Sequence, residues 1–187
     1  MAKVKETTVR VVRIEYKQER EDADYGSCMW ATFDFDLEKY SLAIMSDCGN
    51  YAYGWKPTPD SESFLHLMSR IDEYYLLGKI ADRTVVDSAE TFKAVKEYFE
   101  GLLVGTDCEL DEFDWQEIKS ACSERSDFGC LDALKESIKY TELDDLYSYY
   151  DLAECIQMTE SAGAKKIAEV FAKHIQTKIK SMEQKGR

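Results

Sequence analysis

Proline, glycine and histidine are scarce in this chain. Its 187 residues include 2 prolines, 9 glycines and 2 histidines. That composition excludes collagen, a proline-rich spacer and a long flexible linker. No stretch approaches the roughly 18 apolar residues of a membrane span. The opening MAKVKETTVRVV carries charge where a signal peptide needs its apolar run. No G-x-x-x-x-G-K or G-x-G-x-x-G run is present to cradle a phosphate. Six cysteines, at 28, 48, 108, 122, 130 and 155, form no C-x-x-C pair. Without close Cys/His pairs a zinc finger is not expected, and the thiols read as reduced core filler. A soluble, cytoplasmic globular protein with no cofactor is expected.

Acidity is abundant but unevenly laid out. The net charge is −13, with 24 basic and 37 acidic residues. Residues 1–20 are net +3 and residues 161–187 net +5, so residues 21–160 carry −21. A body of that sign repels nucleic acid and anionic membranes at long range and attracts basic protein surfaces. The basic ends leave local nucleic-acid contact open. The acidity is equally what solubility alone requires.

The front third reads as an antiparallel meander within residues 7–56. Val12, Ile14 and Tyr16 alternate with charged neighbours, giving a strand over about 8–17. In the next strand Met29, Ala31, Phe33, Phe35 and Leu37 share one face, and Trp30, Thr32, Asp34 and Asp36 the other. The chain returns as Tyr40, Leu42 and Ile44. Pairing Phe35 with Leu42 and Phe33 with Ile44 puts every bulky apolar group on one side, and a slip of one residue would expose half of them. Glu38-Lys39 suits positive φ poorly, which favours a four-residue loop. The same register sets Met29 opposite Cys48 and makes neighbours of Cys28 and Cys48, where a disulfide is one reading. Gly49-Asn50 reads as a two-residue turn into Tyr51, Tyr53 and Trp55, which cover the apolar face.

Helical spacing follows. Thr58-Pro59 reads as a helix start, and Phe64, Leu67, Met68 and Ile71 as its stripe. Asp87 with Glu90 has capping-box spacing ahead of Phe92, Val95, Phe99 and Leu102. Residues 106–160 hold sixteen acidic and four basic residues, arranged as three short helices near 112–124, 128–139 and 142–157. A last helix over about 161–183 carries the stripe Ile167, Val170, Phe171, His174, Ile175 and Ile179, with lysines towards its end. The expected fold class is α+β, a meander of about four strands and then five or six helices. The division expected is 1–105, the meander with packed helices, and 106–187, an acidic helical region with a basic last helix, together one compact unit.

Few constellations suggest catalysis. Asp34 and Asp36 point from one strand face, as in the D-x-D pairs that hold divalent metal in nucleases. Asp47 shares that face but lies about 13 Å away along the strand. The bland reading is a solvated polar face. Asp107, Glu109 and Asp111 resemble the start of a calcium loop, but Glu112 stands where glycine is needed and Ile118 where the bidentate glutamate is needed. His66 and His174 sit on helical stripes and read as packed or capping. Trp30 is either covered by a helix or open to a partner, and coverage is favoured. Tyr140, Tyr147, Tyr149 and Tyr150 around Glu142, Asp144 and Asp145 make either a protein-binding surface or an ordinary amphipathic edge.

The segment YGSCMWATFDFD (25–36), with SDCGNY (46–51) and Gly54-Trp55, resembles a family of small acidic proteins encoded by prophages and other mobile elements of Gram-positive bacteria. The resemblance covers about the first hundred residues. Some proteins of that setting resemble type II anti-CRISPRs, inhibitors of Cas9. It implies an inhibitor that binds the guide-loaded effector nuclease and blocks target DNA binding or cleavage. Cas9 holds nucleic acid in positively charged channels, to which an acidic body would be steered. The partner-binding residues expected on this reading are Trp30, Glu142, Asp144, Asp145 and Tyr147. The alternatives are a metal-dependent nuclease using Asp34 and Asp36, or a phage accessory protein with another host partner.

Overall fold

The computed structural model describes residues 6, 8–23, 25–57, 62–107, 109–139 and 141–185. The chain divides into two compact units. The first joins Met1–Asp82 to Ser161–Arg187, and the second is the intervening Arg83–Glu160. The boundary expected at 105/106 falls inside the second unit, and the last helix belongs with the meander.

In the first unit β1 (Val11–Lys17), β2 (Trp30–Asp36), β3 (Ser41–Ser46) and β4 (Gly49–Gly54) form an antiparallel sheet in sequence order. Phe33 pairs with Ile44 and Phe35 with Leu42, as the burial argument requires. Asp36 pairs with Ser41, leaving a four-residue loop in which Tyr40 takes φ 53°. The β3–β4 turn departs from expectation. Ser46 pairs with Gly49, so Asp47 and Cys48 make the turn and Gly49-Asn50 opens β4. Side chains fix it there. The Ser46 hydroxyl donates to the Gly49 carbonyl at 2.6 Å and accepts from the Cys48 N–H at 3.1 Å.

Helices close the apolar face of the sheet. The first described helix, α1 (Phe64–Arg70), is capped by Ser63, whose hydroxyl accepts from the His66 N–H. The expected start at Thr58-Pro59 lies outside the described residues. After Asp72 caps α2 (Glu73–Ile80), the chain leaves the unit. It returns at Ser161, the cap of α7 (Ala162–Val170), which runs through a π-helical turn (Phe171–Ile175) into α8 (Gln176–Lys185) as one rod. Phe171 meets Phe33 at 6.1 Å, and Phe64 meets Phe35 at 6.2 Å. Phe33, Phe35, Leu42 and Ile44 are fully buried, each contributing roughly 1.5–3 kcal/mol by leaving water. Just past the π turn, the buried Gln176 amide donates to the carbonyls of Met68 and Ile71, which end α1. Those carbonyls would otherwise lack an intrahelical partner. His174 departs from the expected stripe. It is exposed, with its ring 5.0 Å from that of Tyr16.

The second unit opens and closes on a two-stranded ribbon that the sequence did not announce. β5 (Arg83–Val86) pairs antiparallel with β6 (Met158–Glu160). Arg83 lies opposite Glu160, and their side chains meet at 3.3 Å. Between them come α3 (Ser88–Leu103), α4 (Glu112–Ala121) and α5 (Asp127–Ile138). The helix expected over 142–157 is instead a 3-10 turn (Glu142–Asp145) and a short α6 (Tyr149–Glu154). Val95, Phe99, Ile118, Leu134, Leu143 and Leu152 anchor a second core. Thr91, buried on α3, accepts from the Gln157 N–H at 2.9 Å and so ties the helix to the ribbon. The fold is α+β, with seven helical rods among the described residues.

Candidate functional site

The two units differ in charge. The second holds 20 acidic and 7 basic residues, net −13, while the first holds 17 of each. The whole net charge of the protein therefore belongs to residues 83–160. Some of that acidity is structural. Asp87 caps α3, and Asp111 caps α4 in a capping box with Asp114, where carboxylates satisfy free N–H groups and face the positive helix end. Other carboxylates have no such duty. In the 3-10 turn Leu143 is buried while Asp144 and Asp145 face solvent, so the turn is anchored by its apolar residue and presents its charges outward.

Large apolar side chains stand exposed among these acids. Phe113 on α4 is 67% exposed, Phe128 on α5 74% and Tyr150 on α6 78%. Isolated exposed apolar residues are ordinary. Three aromatic rings left in water on one highly charged unit have the composition of anchors at a protein interface. The sequence reading passed over Phe128, the second residue of α5; its place on the outer face becomes visible only once Cys130, Leu131 and Leu134 define the buried side. Tyr147 is half-buried against the second core, and the adjacent Ser148 N–H donates to the Tyr98 hydroxyl at 2.8 Å. Tyr149 lies under Lys135, whose ammonium is 5.6 Å from the ring centroid. Tyr140 lies outside the described residues.

Trp30 belongs to the first unit, so the expected binding set is split between the two. It is 44% exposed rather than covered. With Tyr16, Tyr25 and Met29 it lines a cleft of about 500 Å³ where the end of β1 meets the start of β2. No described helix covers Trp30, because the described helices of this unit pack on the Phe33–Phe35 side of the sheet, where the apolar area is.

The Asp34/Asp36 pair is already engaged. Arg13, on the neighbouring strand, donates Nε and Nη2 to the two carboxylate oxygens of Asp34, each at 2.7 Å. This bidentate pairing raises the affinity of the Arg13 guanidinium for its proton. Asp36 accepts from the Glu38 and Lys39 N–H groups and organises the β2–β3 loop. His66 is exposed between Glu62 at 3.4 Å and Glu183 at 3.2 Å, so it is neither packed nor capping.

A groove of about 350 Å³ in the second unit mixes Asp87, Glu90 and Glu97 with Arg83 and Lys93. Its carboxylates are solvated or paired, and none of the three has the buried setting of a catalytic acid.

A family model described as a phage family (phage phiTE 072) matches residues 2–181, spanning both units. No curated protein and no solved structure matches the chain. No described helix is long and apolar enough to cross a membrane. A match over nearly the full length settles the kinship: the chain belongs to this phage family.

Proposed function

We propose that this phage protein works by binding, and that its second unit is the part that meets a basic surface on a host protein. The observation that carries the reading is the confinement of all the net charge, −13, to residues 83–160. A charge-balanced first unit shows that acidity is no general requirement of this chain. Concentrated charge steers encounter with a surface of opposite sign, and exposed rings such as Phe113 and Phe128 supply the apolar contact that holds a complex once formed.

The narrower reading names the partner as a guide-loaded effector nuclease of the Cas9 type, inhibited by occlusion of the positively charged channels that take up its nucleic acid. It rests on the resemblance of residues 25–55 to mobile-element proteins of the anti-CRISPR setting. It agrees with the phage kinship and with the sign of the second unit. The nuclease alternative draws no support from Asp34, whose carboxylate is held by Arg13.

The test is cleavage of target DNA by several guide-loaded Cas9 orthologues, with the protein titrated in. Stoichiometric inhibition of at least one orthologue, unchanged by Asp34→Asn with Asp36→Asn, is expected. Inhibition that is catalytic in the added protein and lost in that double variant would replace the binder with a nuclease. Failure to bind any orthologue would withdraw the Cas9 partner and leave the broader reading to be tested by capture on a basic host protein.

A further inference from the structure

A second kind of chemistry sits at the β3–β4 turn, away from the acidic unit. Cys28, Asp47 and Cys48 place their sulfur and carboxylate ligand atoms within 4.8 Å of one another. Cys28 precedes Asp47 and Cys48 by 19 and 20 residues in the chain, which is why spacing alone argued against a metal site. The meander brings them together, because Asp47 and Cys48 form the turn that faces the residues leading into β2.

The frame around them is built before any ligand arrives. The Met29 N–H donates to Asp47 Oδ2 at 2.9 Å and aims the carboxylate. The Cys48 thiol donates to the Ser27 carbonyl at 3.0 Å, and its own carbonyl accepts from the Tyr51 hydroxyl at 2.8 Å. Cys28 is buried, Cys48 half-buried and Asp47 exposed, so the group has a closed floor and an open mouth. Burial first, and then the adjoining Cys48 and Asp47, push the Cys28 thiol up to about 12. Two sulfurs and a carboxylate packed together are a poor place for one anion and a good place for a cation that neutralises all three.

We propose that Cys28, Asp47 and Cys48 form a three-ligand site for a zinc-like divalent cation. Two thiolates select zinc, cadmium or cobalt over magnesium and calcium. Bonds of about 2.3 Å to sulfur and 2.0–2.2 Å to oxygen imply tetrahedral edges of roughly 3.5–3.8 Å, so the donors close on the ion by about 1 Å. Binding forms two metal–sulfur bonds and one metal–oxygen bond and releases the two thiol protons to solvent. Affinity therefore rises with pH. The fourth position faces the open mouth and takes water or an outside donor. This site is independent of the binding function proposed above.

Cobalt(II) is the probe, added to the full-length, metal-free protein kept reduced by a non-thiol reductant. One equivalent should give thiolate-to-cobalt charge-transfer absorption and the intense visible bands of a tetrahedral site, both erased by zinc. Cys48→Ser and Cys28→Ala should abolish the charge-transfer pattern, and Asp47→Asn should weaken binding at least about tenfold. Cys122→Ser, in the other unit, should leave the spectrum unchanged. Absence of these bands in the unsubstituted protein would overturn the site whatever the variants do. Their loss in Cys122→Ser, or their survival in both Cys28→Ala and Cys48→Ser, would also overturn it.

Discussion

Gly163, at the start of α7, lies so close to the Cys48 carbonyl that a Cβ added there would sit 2.1 Å from the oxygen. The last helix therefore docks onto the β3–β4 turn backbone to backbone, with no room for any side chain. Gly163→Ala gains helix propensity of about 1 kcal/mol but must push the helix off the sheet. Gly78, inside α2 of the same unit, has nothing within 4 Å of its added Cβ. The two substitutions should move stability in opposite directions. Gly163→Ala should cost about 1–3 kcal/mol, and Gly78→Ala should add about 0.5–1 kcal/mol. Urea unfolding midpoints decide, and equal shifts would show that α7 does not touch the turn as described.

The sheet register rests on Phe35, fully buried between Leu42 across the strand and Phe64 on α1. Phe35→Ala should cost about 3–5 kcal/mol, a large part of what a domain of this size has. Amide exchange should show strong protection at residues 30–36 and 41–46 in the unsubstituted protein. Rapid exchange there would refute the sheet.

Much of this fold was legible because burial leaves few choices. Phe33 and Phe35 can share a face with Leu42 and Ile44 in only one parity, so the register followed from pattern alone. Asp87 announced the start of α3 through cap chemistry. The ribbon of Arg83–Val86 and Met158–Glu160 was not legible, since four and three residues are too short for a period to show. Nor was the return of the last helix to the first unit, which depends on Phe171 reaching Phe33. The turn at Asp47-Cys48 was misplaced because Gly49-Asn50 satisfies the local rule, while the hydroxyl of Ser46 and the carboxylate of Asp47 decide the outcome. Of the expected binding residues, Asp144 and Asp145 are exposed, and Tyr147 is partly spent on the core.

Acid should loosen one part of the last helix in a definite direction. Hydrogen bonds from Lys173, and next from Lys166, hold the Glu169 carboxyl below its ordinary range. A depressed folded value means that the stabilisation is present at neutral pH and is lost as pH falls from the unfolded glutamate value of about 4.3 through the folded one. Glu169→Gln should therefore differ from the unsubstituted protein by about 0.5 kcal/mol at neutral pH, with the gap closing in acid. Thermal melts at stepped pH measure it; a gap that widened as pH fell would have the wrong sign.

Phe113 and Phe128 offer a separation of binding from folding. Both rings are mostly in water, so replacing them with alanine should change stability by less than about 0.5 kcal/mol. If they are anchors, the double variant should bind the partner more weakly by at least about 2 kcal/mol, expressed mainly as faster dissociation. Calorimetric melts together with dissociation kinetics give both numbers. A double variant that unfolds early would assign the rings to the core instead.

The central claim is that the acidic second unit makes the encounter with a basic partner, and association kinetics test it most directly. The on-rate for guide-loaded Cas9 should be measured at stepped salt for the unsubstituted protein and for Glu142→Gln, Asp144→Asn, Asp145→Asn combined. The account predicts fast association at low salt, a steep fall as the Debye length shortens past about 10 Å at 0.1 M, and a slower, less salt-sensitive on-rate in the triple variant with its melting temperature unchanged. An on-rate and a salt slope that the triple variant leaves untouched, but that neutralising Lys173, Lys178 and Lys180 of the last helix reduces, would contradict it and move the contact to the basic end of the first unit.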